Sequence, residues 1–253
     1  MTNLFAKEEP FIKLKHLGII GADKVDWAEA MLDIVGYKNN WFSRKYRFTK
    51  HFKTVFELVQ DIRKTDISTV EWTEDCPIVK PANIDFISFQ AMMELQALLD
   101  GGLEEENLSD NISKTIAIAC FSACMSMDYD SNSEEFRQFQ LYILEQPIID
   151  MFGLYNWIVD SIVESAKIWS ERFLSVEVLD PDYEQANGSR MSQFSVILSI
   201  KAICKEFNIP FKDAWQLSYN LVQTNSYANA TSGKIQDDMR ILKEAKMKAS
   251  RQQ

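Results

Sequence analysis

The sequence predicts an all-α protein: a multi-helix bundle with a small N-terminal helical module and at most one short strand or hairpin. Three observations carry this expectation. Apolar residues recur every three or four positions along most of the chain, the period of an amphipathic helix rather than the alternation of a half-buried strand. Glycine and proline, 8 and 6 residues among 253, are few for the turns of a sandwich or barrel. Capping residues and breakers punctuate the periodic runs. Hydrophobic residues at 46% and aromatics at 12% suffice for a core, so disorder is not expected for most of the chain.

In chain order, Asp23 can cap a helix over Lys24–Val35 that Gly36 ends. Tyr37–Lys53 interleaves Arg44, Lys45, Arg47, Lys50 and Lys53 with Trp41, Phe42, Tyr46, Phe48 and Phe52. A second helix is expected over Thr49–Arg63, with Phe52, Val55, Phe56, Val59 and Ile62 at helical spacing. Residues 66–81, β-branched and carrying two prolines, read as a short strand or extended connector and as the domain boundary. The expected division is a basic, aromatic module over 1–80 and an acidic helical domain over 81–253.

In the second part, Ser88 opens a helix over Phe89–Leu99 that Gly101-Gly102 closes. Ser109 with Asp110 is expected to cap Asn111–Met127. Ser133 leads Glu134 and Glu135 into a helix ending before Pro147, with its acidic first turn suited to the helix dipole. Pro147 can start the next helix, Ile148–Leu174, which Gly153 would bend or interrupt. Residues 176–190 read as a loop. Ser189 is expected to cap a helix to Phe207, and Asn208-Ile209-Pro210 breaks the chain before a short helix holding Trp215 and Leu217. Tyr219–Ser232, rich in Asn and Thr, is of poor helix propensity. A terminal helix over Lys234–Arg251 carries a thin apolar stripe.

Charge and chemistry narrow the function. The net charge of −10 argues against nucleic-acid binding by the whole molecule. The charge is unevenly placed: residues 1–64 carry about 12 basic and 8 acidic side chains, whereas 82–187 carry about 4 and 20. Such polarity suits head-to-tail contact between copies or contact with basic partners, though solvated helix faces are the simpler account. Two histidines, His16 and His51, stand in different segments. No phosphate loop, metal-spaced Cys/His set or nucleophile elbow accompanies them. No catalytic, cofactor or metal site is therefore expected.

The four cysteines are too scattered for a disulfide framework and read as buried thiols. The acidic knot around Asp128 and Asp130 lacks the glycine and terminal glutamate of a calcium loop. Asp180, Asp182 and Glu184 have no neighbouring histidine, and Glu104–Glu106 read as an exposed charge run. No apolar run reaches membrane-spanning length and no signal segment is evident, so a cytoplasmic location is expected.

Three features point to contact. The basic–aromatic stretch 38–53, with Arg44, Lys45, Arg47, Lys50 and Lys53, could meet phosphates or an acidic protein surface. Packing of its aromatics under snorkelling Lys and Arg stems is the simpler reading. Met92, Met93, Met125 and Met127 offer adaptable packing or a tolerant groove. The terminal helix could lay its stripe into a partner's groove or pack on its own body.

The segments FISFQAMMELQALLDGG and NLSDNISKTIAIACFSACMSMDYD, with the acidic break between them, resemble the helical core of tail assembly chaperones of tailed bacteriophages. The stretch FNIPFKDAWQLSYNLVQTNSYANA also resembles phage morphogenesis proteins. Together these cover about half of the chain. The resemblance implies a non-enzymatic virion assembly protein, found in the cytoplasm of the bacterial host. Such proteins bind tape-measure and tail-tube subunits and shield their apolar surfaces. The basic N-terminal segment departs from that pattern, which leaves two alternatives: a structural virion component, such as a neck, connector or tail subunit, and a nucleic-acid-binding protein. Self-association is a further expectation. The residues expected to meet a partner are Met92, Met93, Leu95, Trp157, Trp169, Ile235, Met239 and Leu242.

Overall fold

A computed structural model describes residues 13–16, 69–101, 108–176 and 194–251. These residues form seven α-helices, two short 3-10 turns and no strand, as an all-α fold requires. The helices are α1 (Phe89–Asp100), α2 (Leu108–Met125), α3 (Glu134–Leu144), α4 (Ile148–Val176), α5 (Ser195–Phe207), α6 (Phe211–Trp215) and α7 (Tyr219–Arg251). The helices expected over 24–35 and 49–63, the basic–aromatic stretch 38–53, Glu104–Glu106 and residues 177–190 lie outside the described residues. Among the described residues, no helix is long and apolar enough to cross a membrane.

The chain clusters into two compact units, Met1–Pro81 with Glu94–Asp160, and Ala82–Met93 with Ser161–Gln253. This differs from the boundary expected at 80/81, because packing groups helices that are distant in sequence and divides α1 and α4 internally. The first unit is built on α2. Its middle is buried on every side, from Thr115 to Phe121 without a break, as suits a helix that others surround. The polar side chains at its start are satisfied: the Ser113 hydroxyl donates to the Asp110 carbonyl (2.9 Å) and Thr115 to Asn111 (2.8 Å). The helix begins at Leu108, so Ser109 and Asp110 lie in its first turn rather than before it.

Helix α3 packs Phe136, Phe139 and Ile143 inward. Its N-cap is the expected one, the Ser133 hydroxyl accepting from the Phe136 N–H at 3.1 Å. Phe121 meets Phe136 and Phe139 edge-on at 5.7 and 5.9 Å between ring centroids. Tyr129 is buried before α3 and donates to Glu94 at 2.7 Å. Burial, and then the Glu94 carboxylate that its hydroxyl serves, push the phenol above its ordinary range.

Residues 69–81 are an extended connector without a strand, and they are bound to the first unit. The Asn156 side-chain amide donates to the Val70 carbonyl at 3.0 Å. The Lys80 ammonium lies 3.9 Å from the centroid of Trp72 and 4.3 Å from that of Trp157, a cation between two indole faces. Gly153 interrupts nothing, since α4 runs through it. Its missing side chain makes room for the Glu71 backbone. At the N-terminal end, Leu14 is buried and donates its N–H to the Gln146 carbonyl at 2.9 Å. Lys13 and Lys15 flank it and pair with Glu145 at 2.6 and 2.8 Å. Partial burial opposes ionisation of Glu145, but the two ammoniums outweigh it and hold the carboxyl below its usual range.

In the second unit the starts of α1 and α7 are joined by a one-residue antiparallel bridge, Ser88 to Ser218. Phe89 donates its N–H to the Leu217 carbonyl (2.7 Å) and Tyr219 donates to Ile87 (2.9 Å). Both bridging serines cap, their hydroxyls accepting from Ala91 and Leu221 respectively. Phe89 stacks on Tyr219 and tilts against Trp215. Asn208 ends α5 in the left-handed conformation, φ 52° and ψ 45°, which asparagine tolerates well.

The largest departure from expectation is α7. It is one helix of 33 residues from Tyr219 to Arg251, not a helix that starts at Lys234 after a polar stretch. Tertiary contacts override the weak local propensity. Tyr219 and Val222 are buried. The Asn225 amide donates to Glu206 at 2.6 Å, Tyr227 meets Phe173 edge-on at 6.0 Å, and the Lys234 ammonium donates to the Ser175 carbonyl at 2.8 Å. The Thr231 hydroxyl is satisfied within the helix by the Tyr227 carbonyl.

Candidate protein-contact site

The residues expected to meet a partner separate into two sets. Met92 and Leu95 are wholly buried and Trp169 is only 3% exposed, so these three build the core and are not available to a partner in this structure. Trp169 packs on Phe173 beneath the Arg172 guanidinium, 4.6 Å from the ring centroid. Met93 is half-buried in α1, and Trp157 is half-buried under Lys80. Of the contact residues expected on α1 and α4, three are thus covered by the protein's own residues and two are half-covered, while Val163 and Leu174 on α4 stand exposed.

The stripe on α7 is not covered. Ile235, Met239 and Leu242 are 54%, 51% and 60% exposed. Their spacing of four and three places them along one side of the helix. Tyr219 and Val222, which bury the start of the same helix, project by the 3.6-residue period to the other side. The stripe therefore faces away from the body that anchors α7. Arg44, Lys45, Arg47, Lys50 and Lys53, the alternative contact set, lie outside the described residues.

A second apolar surface, on the first unit, was only partly legible in the sequence. A groove of about 620 Å³ runs between the Pro77–Val79 connector, the end of α2 and the outer side of α3. Val79, Met125 and Tyr142 stand exposed along it, and Phe139 forms its floor. Glu134 and Glu135 line it, and among the described residues no basic side chain does. The sequence marks Met125 as one of its adaptable methionines. The outward position of Tyr142 follows from the inward spacing of Phe136, Phe139 and Ile143. Val79 carried no signal, because nothing local says where an extended connector will lie.

Among the described residues, no group of three or more His, Cys, Asp or Glu side chains is placed to hold a metal ion. Cys76, Cys120 and Cys124 are free thiols of the first unit. Burial raises all three above the usual thiol range, Cys120 most of all. The Cys124 thiol donates weakly to the Val79 carbonyl at 3.3 Å. Because the thiolate is the nucleophile, alkylation of Cys76 and Cys124 by iodoacetamide should be slower than that of free cysteine at pH 8. It should keep accelerating above pH 9, with Cys120 unmodified until the protein unfolds. Mass spectrometry of timed digests checks this, and rapid labelling of Cys120 in the native protein would contradict the burial described.

The class that fold and site define is an all-α protein whose last described helix, α7, leaves a distal apolar stripe exposed. No family model, curated protein or solved structure matches the chain.

Proposed function

We propose that this protein is a non-enzymatic assembly factor that acts by protein–protein contact, with the distal half of α7 laid into an apolar surface of its partner. The assembly in question is the one its sequence resemblance implies, the virion of a tailed bacteriophage, and the role is that of a tail assembly chaperone. The observation that carries the reading is the exposed line Ile235, Met239 and Leu242 on the side of α7 turned away from its own body. A solvated helix has no need of three large aliphatic side chains in register, whereas a helix seated in a groove does. The acidic body keeps such a molecule soluble while the stripe is free.

A tape-measure protein that aggregates on dilution from denaturant supplies the test. The natural chain should suppress light scattering. The variant Ile235→Glu/Met239→Glu/Leu242→Glu should need at least about a hundredfold more protein to do so, since each buried aliphatic side chain contributes roughly 1.5–3 kcal/mol. Equal suppression by variant and natural chain would remove α7 from the mechanism. No suppression by either would end the chaperone reading.

A further inference from the structure

We infer that the acidic groove on the first unit is the seat for the distal α7 of a second copy of this chain, so that copies associate head to tail. The inference rests on the reading of α7 as the contacting element and names one partner for it.

Charge and shape both select this occupant. From Ile235 to Arg251, α7 has five basic residues and three acids, Asp237, Asp238 and Glu244, with the positive excess lying beyond Met239. Lys243 and Lys246 border the apolar stripe, whereas Glu244, two positions from Leu242, falls on the opposite side of the helix. The groove offers the complement: an apolar floor at Phe139, apolar walls at Val79, Met125 and Tyr142, and the carboxylates of Glu134 and Glu135. The Glu134 carboxylate accepts from Gln138 at 2.8 Å and faces the exposed Arg137 guanidinium at 3.8 Å, a loose pair that an incoming ammonium can replace. Ile235, Met239 and Leu242 would enter the floor while Lys243 and Lys246 meet the two glutamates. The alternative of stripe against stripe would bring two helices of the same positive sign together, which like-charge repulsion opposes. Methionine on both surfaces, Met125 in the groove and Met239 in the stripe, suits packing that must adapt.

The two surfaces are different patches of one chain, so the contact is heterologous and propagates into a ring or a filament rather than stopping at a symmetric dimer. Covering the stripe in this way also explains how a long exposed amphipathic helix is kept from indiscriminate binding before its client arrives.

Sedimentation of the full-length chain across a wide concentration range tests the inference. The natural chain should give a ladder of oligomers that weakens as salt rises. A stripe variant, Met239→Glu/Leu242→Glu, and a groove variant, Met125→Lys/Tyr142→Lys, should each be monomeric. All four positions are exposed, and far-UV circular dichroism confirms retained helix. Mixed together, the two variants keep one working contact per pair and should form a dimer and nothing larger.

A charge exchange provides the second arm. Lys243→Glu/Lys246→Glu should weaken association about tenfold or more, and Glu134→Lys/Glu135→Lys in the same chain should restore it. A natural chain that stays monomeric, a groove variant that associates like the natural chain, or a mixture that fails to dimerise would each overturn the inference. Those results leave the role of α7 in client binding intact if the groove variant still suppresses tape-measure aggregation. Loss of suppression by the stripe variant alone bears on that role.

Discussion

Replacing Phe121 by alanine is expected to cost about 3–5 kcal/mol, the range for a buried aromatic reduced to a methyl. Phe121 is 1% exposed at the end of the buried run of α2 and holds two rings of α3, Phe136 and Phe139, each met edge-on. Truncation loses its own burial, both edge-to-face contacts and the packing at the end of the buried run of α2. For a chain of this size the melting temperature should fall by about 10 °C. Phe121→Leu should recover more than half of that, since leucine refills much of the apolar volume that alanine leaves empty. Urea unfolding followed by circular dichroism measures both variants. A loss below about 1 kcal/mol would mean that α3 does not depend on this contact. The consequence reaches the groove, whose wall and floor are α3 and the end of α2: a chain weakened here should also associate less.

The second large effect turns on two glycines that share a helical setting and differ in surroundings. In an exposed helix, glycine to alanine is stabilising by about 1 kcal/mol, since alanine loses less backbone freedom on folding. Gly233, within α7, has nothing within 4 Å of where a Cβ would stand, so Gly233→Ala should gain about that amount. Gly153→Ala should do the reverse. Its Cβ would come 2.5 Å from the Glu71 carbonyl oxygen, 2.9 Å from the carbonyl carbon and 3.1 Å from the Trp72 Cα. These are backbone atoms that cannot turn aside, so the connector must lift. The hydrogen bond from Asn156 to Val70 and the seat of Lys80 between Trp72 and Trp157 go with it. The net loss should be about 1–3 kcal/mol, with a red shift of tryptophan emission as the two indoles gain water. Opposite signs at the two positions confirm the packing, and a stabilising Gly153→Ala would refute the close approach.

Local signals in the sequence served well wherever the cause of a structure was itself local. Ser133 caps α3 because its hydroxyl needs only the amide three residues on. Asn208 stops α5 because it accepts a left-handed backbone and proline follows two residues later. Phe89–Asp100 differs by one residue from the helix expected there. The failures are equally specific. Residues 219–232 looked like a weak helix because Asn and Thr compete for backbone hydrogen bonds. The structure turns those side chains to Glu206 and to the helix's own carbonyls instead. The proline-bearing connector 69–81 looked like a boundary, yet Gly153, Asn156 and Trp157, more than seventy residues downstream, hold it in place.

The same division runs through the candidate contact site. Met92, Leu95 and Trp169 had stripes as good as that of α7, and all three proved to be core. Helical type, most helix ends and the existence of apolar stripes were determined by the sequence alone, since periodicity, caps and breakers act within a few residues. Which stripes are covered, and that Ile235, Met239 and Leu242 are left facing outward, was decided only in the tertiary structure. Burial depends on what lies against a face, and that neighbour comes from a distant part of the chain.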